Sequence, residues 1–220
     1  MKKLFPVLVA IGLAAAPVAG HSQVIYTDGP INGQNNAWPI NWGFSVASQF
    51  TISSSGTVTS ADFGTWNWPG DLLSTVNWTI STDSGSNTIG SAVGSGTASA
   101  SSVFDFQGLY GYNIYTDTIS LPSVALAAGA YWFQLDTAVI NNNSGNSIYW
   151  DINSGSPHSW ENGVGYDTGA TYPAGGYPTP STQFTLYGGG SSPVPEPASL
   201  ALLGVGLLAV GAIRYRHKMG

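Results

Sequence analysis

The chain predicts an all-β fold, an antiparallel β-sandwich of jelly-roll type, and three observations carry that expectation. Apolar residues recur with period two in short runs, and clusters of Ser, Gly, Asn and Pro separate the runs. No stretch between the two ends has the 3.6-residue stripe of an amphipathic helix. Of 220 residues, 43% are hydrophobic and 12% aromatic, which is enough apolar surface to offset the entropy of ordering most of the chain. Cysteine is absent, so disulfide stapling, a thiolate zinc site and a thiol nucleophile are excluded.

Six alternating runs are expected as strands. In chain order they are Val46, Phe50, Ile52; Val76, Trp78, Ile80; Tyr110, Tyr112, Ile114; Tyr131, Phe133, Leu135; Ile148, Trp150, Ile152; and Phe184, Leu186. Residues 53–56, 84–87, 94–96 and 141–145 are turn material. Trp78 and Trp132 belong in the core. A sandwich over 24–187, followed by a Gly/Ser linker over 188–193, is one domain's worth of chain and shows no repeat of solenoid or propeller length.

All five basic residues lie at the two tips: Lys2, Lys3, Arg214, Arg216 and Lys218. Between them, nine Asp and Glu161 face no Lys or Arg. Phosphate binding then has no electrostatic driving force, which excludes nucleic acid as a partner. Mutual repulsion of the acids predicts a melting temperature that rises with salt or calcium; a flat response to both in scanning calorimetry contradicts it.

Residues 1–22 read as a secretory signal peptide. Two lysines precede an apolar run, and the small residues Val18, Ala19 and Gly20 follow it, so the mature chain begins between His21 and Val24 after passage through the general secretory translocon. Residues 198–213 carry no charge and span about 24 Å as a helix. Tyr215 and the flanking cations can reach the interface, so a single transmembrane helix is expected. The tail Arg214, Arg216, Lys218 holds the C-terminus in the cytoplasm and leaves everything before the helix exported.

Val194, Pro195, Glu196, Pro197, Ala198 and Ser199, then this helix, then the basic tail, resemble the PEP-CTERM sorting signal of Gram-negative bacteria. The resemblance implies recognition by exosortase, a membrane-embedded protease that processes its substrates during export to the surface or extracellular matrix. The anchor in the inner membrane is then transient. Two prolines flanking Glu196 hold this segment extended and out of the helix, within reach of a peptidase at the membrane surface. Residues 61–71 are also similar to ectodomain segments of other PEP-CTERM proteins.

Within the exported part, exposed aromatics are one candidate site. Trp66 and Trp68 alternate on one strand face, and Trp38 and Trp42 fall in a loop rich in Pro, Gly and Asn; such platforms stack sugar rings while Asp and Asn bond the hydroxyls of an exopolysaccharide. Glu161, beside Trp160, and Asp151 are the candidate carboxyl pair of a carbohydrate-active hydrolase. Asp151 and Asn153 have the oxygen spacing that opens a calcium loop, so structural calcium is the one cofactor considered. A copper site of His21 and His158 requires cleavage after Gly20. With His158 as the sole internal base and no Gly-x-Ser-x-Gly, serine hydrolase chemistry is disfavoured. The expected function is that of a non-catalytic, exported surface or matrix protein; the alternative is a secreted hydrolase using Glu161 and Asp151.

Overall fold

A computed structural model describes residues 23–34, 36–153, 159–162 and 181–190. Twelve strands run through them: β1 (Gln23–Thr27), β2 (Asn36–Pro39), β3 (Ser45–Ile52), β4 (Gly56–Asn67), β5 (Leu73–Asp83), β6 (Ile89–Gln107), β7 (Asn113–Leu126), β8 (Gly129–Ile140), β9 (Tyr149–Asn153), β10 (Ser159–Asn162), β11 (Ser181–Thr182) and β12 (Phe184–Gly190). Every pairing is antiparallel, and the strand order is β1-β12-β4-β7-β6-β5-β8-β3-β10. A short arm of β9, β2 and β11 joins β4 beyond the end of β12. Among the described residues no helix is long and apolar enough to cross a membrane. The expected signal peptide, transmembrane helix 198–213, sorting motif, basic tail and both candidate copper histidines lie outside the described residues.

The sheet curls at β6. Residues up to Ser99 pair with β5 and those from Ala100 pair with β7, so one strand serves both halves. The halves then face each other across aromatic side chains. Phe133 of β8 lies 5.3 Å from Phe184 of β12 and 5.8 Å from Trp150 of β9, ring centre to ring centre, while Phe50 of β3 lies 5.9 Å from Phe184. All four rings are buried, and each contributes about 2–3 kcal/mol of apolar transfer free energy. Trp78 and Trp132 are buried as well.

Five of the six alternating runs form strands where period two places them, in β3, β5, β8, β9 and β12. The run at Tyr110 to Ile114 is different. Leu109–Gly111 form a single 3-10 turn, Tyr110 is 82% exposed, and strand β7 starts only at Asn113. Residues 94–96 are mid-strand in β6 rather than a turn. The two glycines there leave room for Trp78 and Val124 beneath the strand: a Cβ at Gly94 would stand 2.9 Å from Val124. The expected linker likewise begins too early. Gly188, Gly189 and Gly190 continue β12 against β4, and a Cβ at Gly188 would sit 1.7 Å from the Thr57 carbonyl oxygen, so only glycine fits this close approach.

Chain entry and exit share one pole. Gln23 pairs with Gly188, Gly190 with Gly56, and Ile52 with Gly129. At the other end of β4, eleven residue steps or roughly 35 Å away, lie the 68–71 turn, the start of β3 and the end of β8.

Candidate functional site

At that far pole the chain makes a cleft of about 220 Å³ from the turn after β2, the end of β8 and the loop after it. The turn is Asn41, Trp42, Gly43 and Phe44, closed by the Phe44 amide donating to the Asn41 carbonyl at 3.0 Å. Positive φ at both central residues, 59° at Trp42 and 86° at Gly43, makes it a type I′ turn. A bulky aromatic in the left-handed region costs on the order of 1–3 kcal/mol. That strain presents Trp42 outward, 61% exposed, against Ala138, Val139 and Ile140. Its indole N–H is fixed on the Asn146 carbonyl at 3.2 Å.

The Asn41 amide also donates to the Asn146 carbonyl, at 3.0 Å. Asn41 lines the cleft, and its Oδ1 is buried and accepts no hydrogen bond. A buried acceptor without a donor costs about 1–3 kcal/mol.

The loop that brings Asn143 and Gly145 to the cleft is held by Asp71. Trp68, Pro69, Gly70 and Asp71 form a tight turn in which the Asp71 amide donates to the Trp68 carbonyl at 2.9 Å, with Gly70 at φ 95°. Pro followed by Gly is the residue pair a type II turn requires. Asp71 is buried, and its carboxylate accepts from the Asn142 amide at 2.8 Å, the Ser144 hydroxyl at 3.0 Å and the Asn146 amide at 2.8 Å. Asn141 closes the loop onto β5 with its side-chain oxygen on the Leu72 amide at 3.1 Å. The run Asn141, Asn142, Asn143 that reads as plain turn material is therefore a loop organised by one carboxylate seventy residues earlier. A ligand meeting it encounters pre-set groups, which lowers the ordering cost of binding.

The four candidate tryptophans part ways. Trp42 is the exposed platform. Trp38 is half-buried, opposite Trp150 in the β2–β9 pair, and packs on the core. Trp66 and Trp68 do not share an exposed face, because β4 ends at Asn67 and the alternation stops there. Trp66 is 3% exposed, whereas Trp68 is 41% exposed and lies 4.7 Å from the Tyr112 ring. Tyr112 touches Tyr149 in turn, and burial together with that neighbour pushes its hydroxyl up to about 12.

Asp151 and Asn153 are turned inward. The Asp151 carboxylate accepts from the Asn32 amide at 3.0 Å, the Gly33 amide at 3.2 Å and the Trp66 indole at 2.6 Å. Burial raises its pKa, and those three donors lower it in part. Asn153 donates to the Asp28 carbonyl and accepts from the Ser181 hydroxyl. Both side chains make internal bonds, and residues 154–158 of the expected calcium loop lie outside the described residues; among the described residues no three His, Cys, Asp or Glu form a metal-holding group. Glu161 is half-buried on β10, which pairs with β3, and burial raises its pKa. Asp151 is sealed beneath the 28–34 segment, on β9 rather than β10, with its carboxylate taken up by three donors there.

Comparison with known proteins bears on the C-terminus. No curated protein matches the chain. Residues 193–216 match the family model of the PEP-CTERM protein-sorting motif, so the chain carries that motif near its C-terminus, a signal for exosortase-dependent sorting.

Proposed function

We propose that this is a non-catalytic surface or extracellular matrix protein whose ectodomain binds polysaccharide at the Trp42 cleft. On this reading the curled sheet is a β-sandwich, residues 1–22 direct the chain through the secretory translocon, and exosortase releases it from a transient inner-membrane anchor. The observation that carries the binding role is Trp42, held outward in a strained turn beside the unpartnered Asn41 oxygen. An apolar ring face next to a hydrogen-bond acceptor suits the two surfaces of a sugar ring. No Lys or Arg lies between 24 and 190, which favours a neutral glycan over an anionic one. The cleft also stands at the pole opposite Gly190, the last described residue before the sorting signal.

A glycan array followed by titration calorimetry tests this. Trp42→Ala should weaken binding of the best neutral glycan by about tenfold or more. Asp71→Ala should weaken it too by releasing the 142–146 loop, without touching the ligand. An array without neutral-glycan hits, or binding unchanged in Trp42→Ala, contradicts the reading. Cleavage of an array glycan that Glu161→Gln abolishes would replace it with hydrolysis.

A further inference from the structure

A second concavity lies on the outer face of the sheet. It is an open groove of about 500 Å³ between residues 29–31, which cross over β4, and strands β4, β7, β6 and β12. Two carboxylates line it. Asp62 on β4 stands near the Tyr187 hydroxyl, and Asp105 on β6 accepts from the Thr116 hydroxyl at 2.8 Å. Each carboxylate offers about four lone-pair sites, so one hydroxyl leaves acceptor capacity facing the groove.

Gln183, also in the lining, is 5% exposed; its amide N–H donates to the Gly29 carbonyl at 3.2 Å, but its Oε1 has no partner. The groove is thus lined by two carboxylates with acceptor capacity to spare and by one amide residue whose oxygen has no donor. No lysine or arginine lies in 24–190 to supply one.

The spacing argues against a single metal ion. β7 separates β4 from β6, so the two backbones stand about 10 Å apart, and Asp105 lies farther along its strand than the register partner of Asp62. A calcium ion held at about 2.3–2.6 Å from each ligand oxygen does not span that gap. Two separate cationic donors do. The rings of Phe106 and Tyr187 add apolar surface along the same groove.

We infer that this groove binds an extended ligand carrying primary ammonium groups, one on Asp62 and one on Asp105, with a further donor on the Gln183 oxygen. Two sources share this chemistry, an amino-sugar oligomer and a linear polyamine. Charge-assisted N–H to carboxylate bonds supply the affinity, and the ring faces favour the sugar.

The test is calorimetric titration of the whole ectodomain with a glucosamine tetramer, its fully N-acetylated counterpart and spermine. Asp62→Asn with Asp105→Asn should cost about tenfold or more in affinity for an amine ligand. Asp83→Asn with Asp136→Asn, which removes the same charge elsewhere, should cost less than about twofold. Thermal melts of both double variants establish that they fold. Binding of the glucosamine tetramer, of spermine or of both supports the inference and identifies the source. It is overturned if neither amine binds, if the acetylated oligomer binds as tightly as the amine, or if the two double variants weaken binding equally.

Discussion

Asp117→Asn is expected to raise the melting temperature at about pH 7.5 and to leave it nearly unchanged at about pH 4. Asp117 sits on β7 with its side chain on the core face, fully buried, and accepts from the hydroxyls of Thr65 on β4 and Ser102 on β6. Burial raises its pKa from 3.8 to about 6; the two hydroxyls oppose the shift and Asp105 adds to it. Between those values the folded protein binds more protons than the unfolded chain, so stability is greatest below about pH 4 and falls as pH rises toward 6. The loss is about 2–3 kcal/mol for a shift of this size, or roughly 5–10 °C. Asparagine keeps an oxygen to accept from one of the two hydroxyls, turns its N–H toward the oxygen of the other, and carries no charge to desolvate. Asp28 is raised to about 6, mainly by burial, and burial also raises Asp151 and Glu161. With no internal lysine or arginine to offset them, the wild-type protein should melt higher at about pH 4.5 than at pH 7.5. Scanning calorimetry in constant salt decides it, and a melting point that falls on acidification contradicts the assignment.

Asp151→Ala should cost about 3 kcal/mol or more. Its carboxylate ties the 28–34 segment to the sheet and anchors Trp66 in the same network. Removing it leaves two backbone amides and a buried indole N–H without an acceptor, each worth about 1–3 kcal/mol if water cannot enter. Ile31 packs over Gly64 in this arrangement, so the segment loses apolar contact as it lifts. Limited proteolysis should then cut between residues 28 and 34, where the wild type resists. Asp151→Asn should lose less, because one oxygen remains to accept. A denaturation midpoint within about 0.5 kcal/mol of wild type for Asp151→Ala would show that the segment is held by something else.

Strands built on large alternating residues were legible from sequence, as Tyr131, Phe133 and Leu135 of β8 illustrate, because one face of the pleat must be apolar where it meets the core. β6 was not legible. Its core-facing positions include Gly94, Gly96 and Ala98, small because Trp78 and Val124 fill the space below, and small polar sequences also make turns. Trp66 and Trp68 show a related limit: period two holds only inside a strand, and nothing local marks Asn67 as the last residue of β4. Trp42 was legible as an aromatic in a loop. The clasp of Asp71 on Asn142, Ser144 and Asn146 was not, since it is a contact between segments distant in sequence. The sorting signal needs no tertiary contact to be read, and its residues are continuous in the chain.

Both binding proposals presuppose an ectodomain that has left the cytoplasm and been cut free of its anchor. The intact mass of the protein recovered from outside the cell measures this directly. The expected chain starts between His21 and Val24 and ends before the uncharged run 198–213 is complete. Recovery of the full polypeptide in the cytosol, from Met1 to Gly220, would contradict it.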